Sequence, residues 1–116
     1  MGRDTGVLLT RAEKVIQTNI LKRLRKLPRS KWVKIIKASD VGTPDIIGCF
    51  CGLFVTIEVK SEKGETTLKQ SWELQGYSEA EGLAIVARSW EDVVFGLKKL
   101  IKERNIHYEM ELLKIQ

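Results

Sequence analysis

The chain carries one histidine, His107, among 116 residues. It lies far from the acidic motifs described below, so no histidine-based general base is evident there. Cysteine is almost as scarce. Cys49 and Cys51 stand two apart at the end of an expected strand, a spacing that rarely makes a structural disulfide. They read as buried thiols of a reduced, intracellular protein, for which a cytoplasmic location is expected. Zinc held by the two cysteines and His107 would lack a fourth ligand at the usual spacing. No apolar run approaches the roughly 18 residues of a membrane span. Met1 to Thr10 lacks the apolar stretch of a secretory signal. No glycine-rich phosphate loop occurs, which argues against an NTPase.

What is present fits one small domain over residues 1–116, with a core over about 10–104 and a tail at 105–116 that either adds an element or docks on a partner chain. The composition is 43% hydrophobic, enough for a modest core. Charge is unevenly spread. Residues 1–40 hold 11 Lys/Arg and 3 Asp/Glu, a net of +8, and the remainder holds 9 and 12, a net of −3. A basic N-terminal half favours a polyanion such as nucleic acid, although basic helices also serve solubility alone.

Met1 to Leu9 reads as loose. Thr10-Arg11-Ala12-Glu13 has the form of a capping box, in which the threonine hydroxyl and the glutamate carboxylate satisfy the first free N–H groups of a helix. That helix should run to about Leu27, with Ala12, Ile16, Ile20, Leu24 and Leu27 as its apolar stripe and Pro28 as its stop. Lys22, Arg23, Arg25 and Lys26 cluster near its C-terminal end, where cations complement the helix dipole. Trp32 to Ala38 reads as a strand, as do Pro44 to Phe50 and Leu53 to Lys60. Thr67-Leu68-Lys69-Gln70 repeats the capping-box form and opens a helix to about Glu81. Leu83 to Ala87 is a short apolar strand, expected to be buried on both faces. A third helix starts at Ser89-Trp90. The strand–helix–strand step from Leu53 to Ala87 should make those two strands parallel. The result is an α/β fold with a mixed central sheet flanked by helices. Trp32, Trp72 and Trp90 are expected in the core or an interface.

The candidate chemistry sits at Gly42-Thr43-Pro44-Asp45 and Glu58-Val59-Lys60. In the strand from Leu53 to Lys60, period 2 puts Glu58 and Lys60 on one face, about 6–7 Å apart. If Cys51-Gly52 forms a two-residue hairpin, Asp45 lies directly opposite Glu58, with Cβ atoms about 4.5–5.5 Å apart. Two carboxylates that close, beside a lysine, are unfavourable without a cation, and a divalent metal would satisfy them.

This order of elements and these residues resemble the PD-(D/E)xK nuclease superfamily, with its restriction-endonuclease-like αβββαβα core. Within it, the chain resembles a stand-alone VRR-NUC (virus-type replication-repair nuclease) domain of the kind carried by phages. The resemblance spans roughly Arg11 to Leu100. It rests on Glu13, on Gly42 to Asp45, on Glu58-Val59-Lys60 with 12 residues between Asp45 and Glu58, and on Gln70. It implies that Asp45, Glu58 and the Val59 carbonyl bind Mg²⁺ or Mn²⁺. It implies that Lys60 orients or deprotonates the attacking water and steadies the scissile phosphate. Glu13 would act through water on that metal or a second one, and Gln70 would help position Lys60 or the phosphate. The implied activity is endonucleolytic hydrolysis of branched DNA, four-way junctions or flaps, by a homodimer.

Bland readings stand beside these. Asp45 suits a turn after proline. Glu13 and Gln70 each complete a capping box with no metal. Lys63 and Lys69 flank the motif and would contact phosphate or simply lie at the surface; Arg88 would reach DNA or end its strand. Two alternative functions remain: a non-catalytic nucleic-acid-binding module on the same fold, and a nuclease of the same fold with another DNA substrate.

Overall fold

The computed structural model describes residues 9–114, so all of the segment expected to be loose except Leu9 lies outside the described residues. The element order is α1 (Arg11–Leu24), β1 (Ser30–Lys34), β2 (Ile46–Phe50), β3 (Leu53–Val59), α2 (Leu68–Glu79), β4 (Leu83–Ala87) and α3 (Trp90–Glu103). A short 3₁₀ helix, Met110–Lys114, follows. The four strands form one sheet in the order β1-β2-β3-β4. The first three are antiparallel neighbours, and β4 joins β3 in parallel. This is the expected mixed sheet in the restriction-endonuclease-like arrangement.

The hairpin has the expected register. Phe50 faces Leu53 and Ile46 faces Ile57, leaving Cys51-Gly52 as the turn. Both turn residues have positive φ, 52° and 84°, the handedness that matches the strand twist. That register carries Asp45, one residue before β2, opposite Glu58. The neighbouring pair is fixed by a close approach. A Cβ on Gly48 would lie 2.3 Å from the Trp32 ring and 2.4 Å from the Lys31 carbonyl. Only glycine lets Trp32 lie across its cross-strand partner.

Alternation along β3 sends Val55, Ile57 and Val59 into a core with Ile20 and Leu24 of α1, Ile85 and Ala87 of β4, and Val93 and Leu97 of α3. The opposite face carries Phe54, Thr56, Glu58 and Lys60. There α2 lies over the sheet, with the Phe54 and Tyr77 rings in contact, 5.5 Å between centroids. Both faces of β3 are covered from Val55 to Lys60.

Several expectations need correction. The first helix ends at Leu24, and Arg25 to Leu27 form turns before Pro28. Its buried face is Glu13, Gln17, Ile20, Leu21 and Leu24, and Ala12 is exposed. Glu13, in the polar half of that face, lies close enough to Asp45 and Glu58 to raise both carboxyls, so the apolar pattern misleads there. β1 starts earlier than expected and ends at Lys34, because the chain leaves the sheet after one last bond from Ile35 N–H to the Asp45 carbonyl. β4 is an edge strand, and Val86 on its outer face is exposed rather than buried. Cys49 is exposed and Cys51 half-buried, so the thiols are free but not buried. Trp32 and Trp90 are core residues, whereas Trp72 is 66% exposed. The tail packs on its own domain: Leu113 is buried and its carbonyl accepts the Trp90 indole N–H at 3.1 Å.

Candidate active site

Four elements bring their ends together at the C-terminal end of β3. Asp45 enters from the Gly42–Pro44 loop, Glu58 from β3 and Lys60 from the residue just after it, Gln70 from the first turn of α2, and Glu13 from the first turn of α1. The loop is held close to α2. Gly42 has φ +88°, and a Cβ there would lie 2.9 Å from both Cγ and the carbonyl oxygen of Lys69.

Asp45 and Glu58 are each only 2% exposed. The Val59 N–H donates to Asp45 Oδ2 at 2.7 Å. The Lys60 ammonium lies 3.7 Å from Glu58 Oε2, and the Gln70 amide donates to the same oxygen at 2.8 Å. Glu58 Oε1 is buried with no hydrogen-bond partner.

Both capping boxes form, and each leaves its side chain near the carboxylates. Thr67 N–H donates to Gln70 Oε1 at 2.9 Å. That bond turns the amide so that its NH₂ end meets Glu58. Thr10 N–H donates to Glu13 Oε1 at 3.1 Å, and Glu13 is 7% exposed. Its other oxygen, Oε2, faces Gly64, where a Cβ would come within 3.3 Å. The structural and site readings of these two residues are therefore compatible within one side chain.

The electrostatics are those of an under-compensated acidic pair. Burial is the main cause that pushes Asp45 up from 3.8 to about 6, against the Val59 N–H and Lys60, with Glu13 adding repulsion. Burial also leads for Glu58, pushed up from 4.5 to about 8; Asp45 adds repulsion, Lys60 opposes it and Glu13 adds more. One lysine does not offset two buried carboxylates and a third nearby.

Among the described residues, no three His, Cys, Asp or Glu side chains are gathered closely enough to cage a metal unaided. The donor set is a carboxylate pair with one unpartnered oxygen. That set fits a hard divalent ion that keeps several of its waters, and it is unsuited to a four-ligand zinc cage.

The expected DNA-contacting residues divide into two groups. Lys63, in the turn after β3, and Lys69, on the first turn of α2, are exposed beside the site. Lys69 also sets its ammonium 4.8 Å from the Trp72 ring centroid. The basic cluster lies at the other end of α1. Lys22 is nine residues from Glu13, about 13 Å along the axis. Arg23 lies 5.8 Å from the Trp90 ring centroid, and Arg25 donates to the Trp32 carbonyl at 3.4 Å. Two residues near the site were not singled out from sequence. Gln17 is buried one turn after Glu13, a position its i+4 spacing could have revealed. Gly64 lies against Glu13 across a long sequence gap that carries no local signal.

No protein-family model matches the chain, and no curated protein matches it. Among solved structures, one titled "VRR_NUC domain" aligns with a TM-score of 0.63 at 22% identity, covering 86% of this chain and 100% of that one. The order of helices and strands, the mixed sheet and this alignment agree: the chain has the fold of a VRR_NUC domain.

Proposed function

We propose that the protein is a divalent-metal-dependent endonuclease that hydrolyses DNA phosphodiesters, selective for branched DNA such as four-way junctions or flaps. The observation that carries this reading is the convergence of Asp45, Glu58 and Lys60 in a buried, net-negative site with an unpartnered Glu58 oxygen. A structural salt bridge would need one carboxylate for one lysine. Here there are two, plus Glu13, and burying them without a cation is costly.

Asp45 and Glu58 would hold Mg²⁺ or Mn²⁺ with the Val59 carbonyl, and Glu13 would act through water. The bound ion would lower the pKa of a water and act as a Lewis acid at a phosphate oxygen. Gln70 holds Glu58 through Oε2 and leaves Oε1 without a protein partner. Lys60 presents an ammonium beside the carboxylates, where it would orient the attacking water and offset charge developing on the phosphate. Its position at the end of a strand covered on both faces fixes that ammonium without a flexible loop. Lys63 and Lys69 would contact flanking phosphates.

Branched DNA and a homodimer belong to the same proposal. A 116-residue chain offers few elements to grip a junction, and two-fold pairing would present two sites and two basic helices. The test is cleavage and binding by Asp45→Ala and Glu58→Ala. Both should lose metal-dependent cutting while still binding DNA. Cleavage that survives either change would remove these residues from the chemistry. Wild-type protein that binds junctions but never cuts would favour the binding-module reading.

A further inference from the structure

Arg88 takes no part in the site just described, and its surroundings are unlike those of a surface arginine. It follows β4, and its own N–H donates to Asp92 Oδ2 at 2.8 Å. Asp92 lies in the first turn of α3, where its N–H meets the Ser89 cap. Arg88 is thus fixed at the joint between β4 and α3. From there its guanidinium reaches the turn that follows Lys60. Nη1 donates to the Ser61 carbonyl at 2.7 Å and to the Gly64 carbonyl, with Glu62 at the 3.5 Å limit. The same turn is closed by Gly64 N–H to the Ser61 carbonyl at 3.1 Å. Its carbonyls therefore converge on one cation.

Gly64 is where this turn meets the site. A Cβ there would lie 3.3 Å from Glu13 Oε2 and 3.1 Å from Ser61 Oγ. Glu13 belongs to α1, and Arg88 to the joint between β4 and α3. The turn lies against both. A turn whose carbonyls lost their shared donor would be free to move away, because nothing else in its sequence, Ser61-Glu62-Lys63-Gly64, is apolar enough to anchor it.

We propose that Arg88 is a positioning residue, which clamps the Ser61–Gly64 turn against Glu13 and so holds that carboxylate, and Lys63 on the turn, at the reaction centre. The catalytic part of this inference rests on the nuclease reading; the clamp itself does not. Arg88 touches neither carboxylate and acts through backbone. Its contribution is pre-organisation of the groups that do touch substrate.

Two readouts test it. In metal-free protein without DNA, Arg88→Ala should speed amide hydrogen exchange in the 61–66 segment and, with it, in 10–14, where Glu13 caps α1. Exchange in β3 and α3 should stay unchanged. Arg88→Lys, which still offers an ammonium to the carbonyls, should restore part of the protection. In a double-mutant cycle, Arg88→Ala should lower kcat on the order of tenfold in wild type but by less than about twofold in a Glu13→Gln background. Gly64→Ala removes no hydrogen bond and crowds Glu13 directly. It should also lower kcat, again only while Glu13 is present. Unchanged exchange at 61–66 would overturn the clamp. Exchange that rises at 61–66 alone, or costs that multiply fully with Glu13→Gln, would overturn the positioning role. If wild-type protein cuts no DNA, the nuclease reading fails, and the exchange result still decides the clamp.

Discussion

Glu58 is the residue at which stability and the proposed activity should pull apart. Its carboxylate is buried, repelled by Asp45 and left with one unpartnered oxygen. Glu58→Gln keeps the shape and removes the charge. We expect it to stabilise the metal-free protein by on the order of 1 kcal/mol in urea denaturation while abolishing cleavage. The pH dependence follows from the same pair. Folding raises Asp45 from 3.8 to about 6 and Glu58 from 4.5 to about 8. The native state therefore holds protons that the unfolded chain has released. The pair's contribution to stability is full below pH 3.8, declines as pH rises, and is lost by about pH 8. Urea titrations in EDTA should show this fall, and Glu58→Gln should flatten it above about pH 6. A metal-free stability that instead rises from pH 5 to 8 would contradict the account. The capping roles of Glu13 and Gln70 were legible from Thr-x-x-Glu and Thr-x-x-Gln, and the Gln70 contact with Glu58 follows from where α2 begins.

At the scale of elements, the hairpin and the two capped helices were readable because their signals are local. Alternation, a two-residue turn and a capping box each act within a few residues. The errors fall where distant packing decides. The stripe of α1 turned to bury Glu13 and Gln17, since its first turns face carboxylates instead of the sheet core. In β4, Val86 is exposed beside Glu58, its partner in β3, a placement that strand order sets and its own sequence does not show. The Arg88 contact with the Ser61–Gly64 turn spans 24–27 residues and has no motif. Gly48 is a further example, because its need to be glycine comes from Trp32 on the neighbouring strand. Gly48→Ala should destabilise the fold by about 2 kcal/mol or more, read as a lowered denaturation midpoint with an unchanged slope. An effect below about 0.5 kcal/mol would mean that Trp32 can move aside.

For the whole molecule, the arrangement separates the buried carboxylates from the basic cluster of α1. The carboxylates gather at one end of α1, and Lys22, Arg23, Arg25 and Lys26 lie toward the other. Arg23 and Arg25 already contact the protein itself, so Lys22 and Lys26 are the better candidates for phosphate. Lys22→Ala with Lys26→Ala should weaken DNA binding and lower the salt slope by up to about 2, with kcat at saturating DNA unchanged. A slope equal to wild type would take this end of the helix off the binding surface. Among the described residues no helix is long and apolar enough to cross a membrane, and the sequence has a net charge of +5. The net positive charge accords with the polyanionic partner of the proposal. The most direct test of the central claim is cleavage of labelled duplex, single-stranded, flap and four-way-junction DNA in Mg²⁺, Mn²⁺ or EDTA, with Lys60→Ala beside wild type. The account predicts cutting by wild type with a divalent ion, greatest on branched DNA, and none by Lys60→Ala or in EDTA. Equal cutting by Lys60→Ala, or cutting that persists in EDTA, would contradict it.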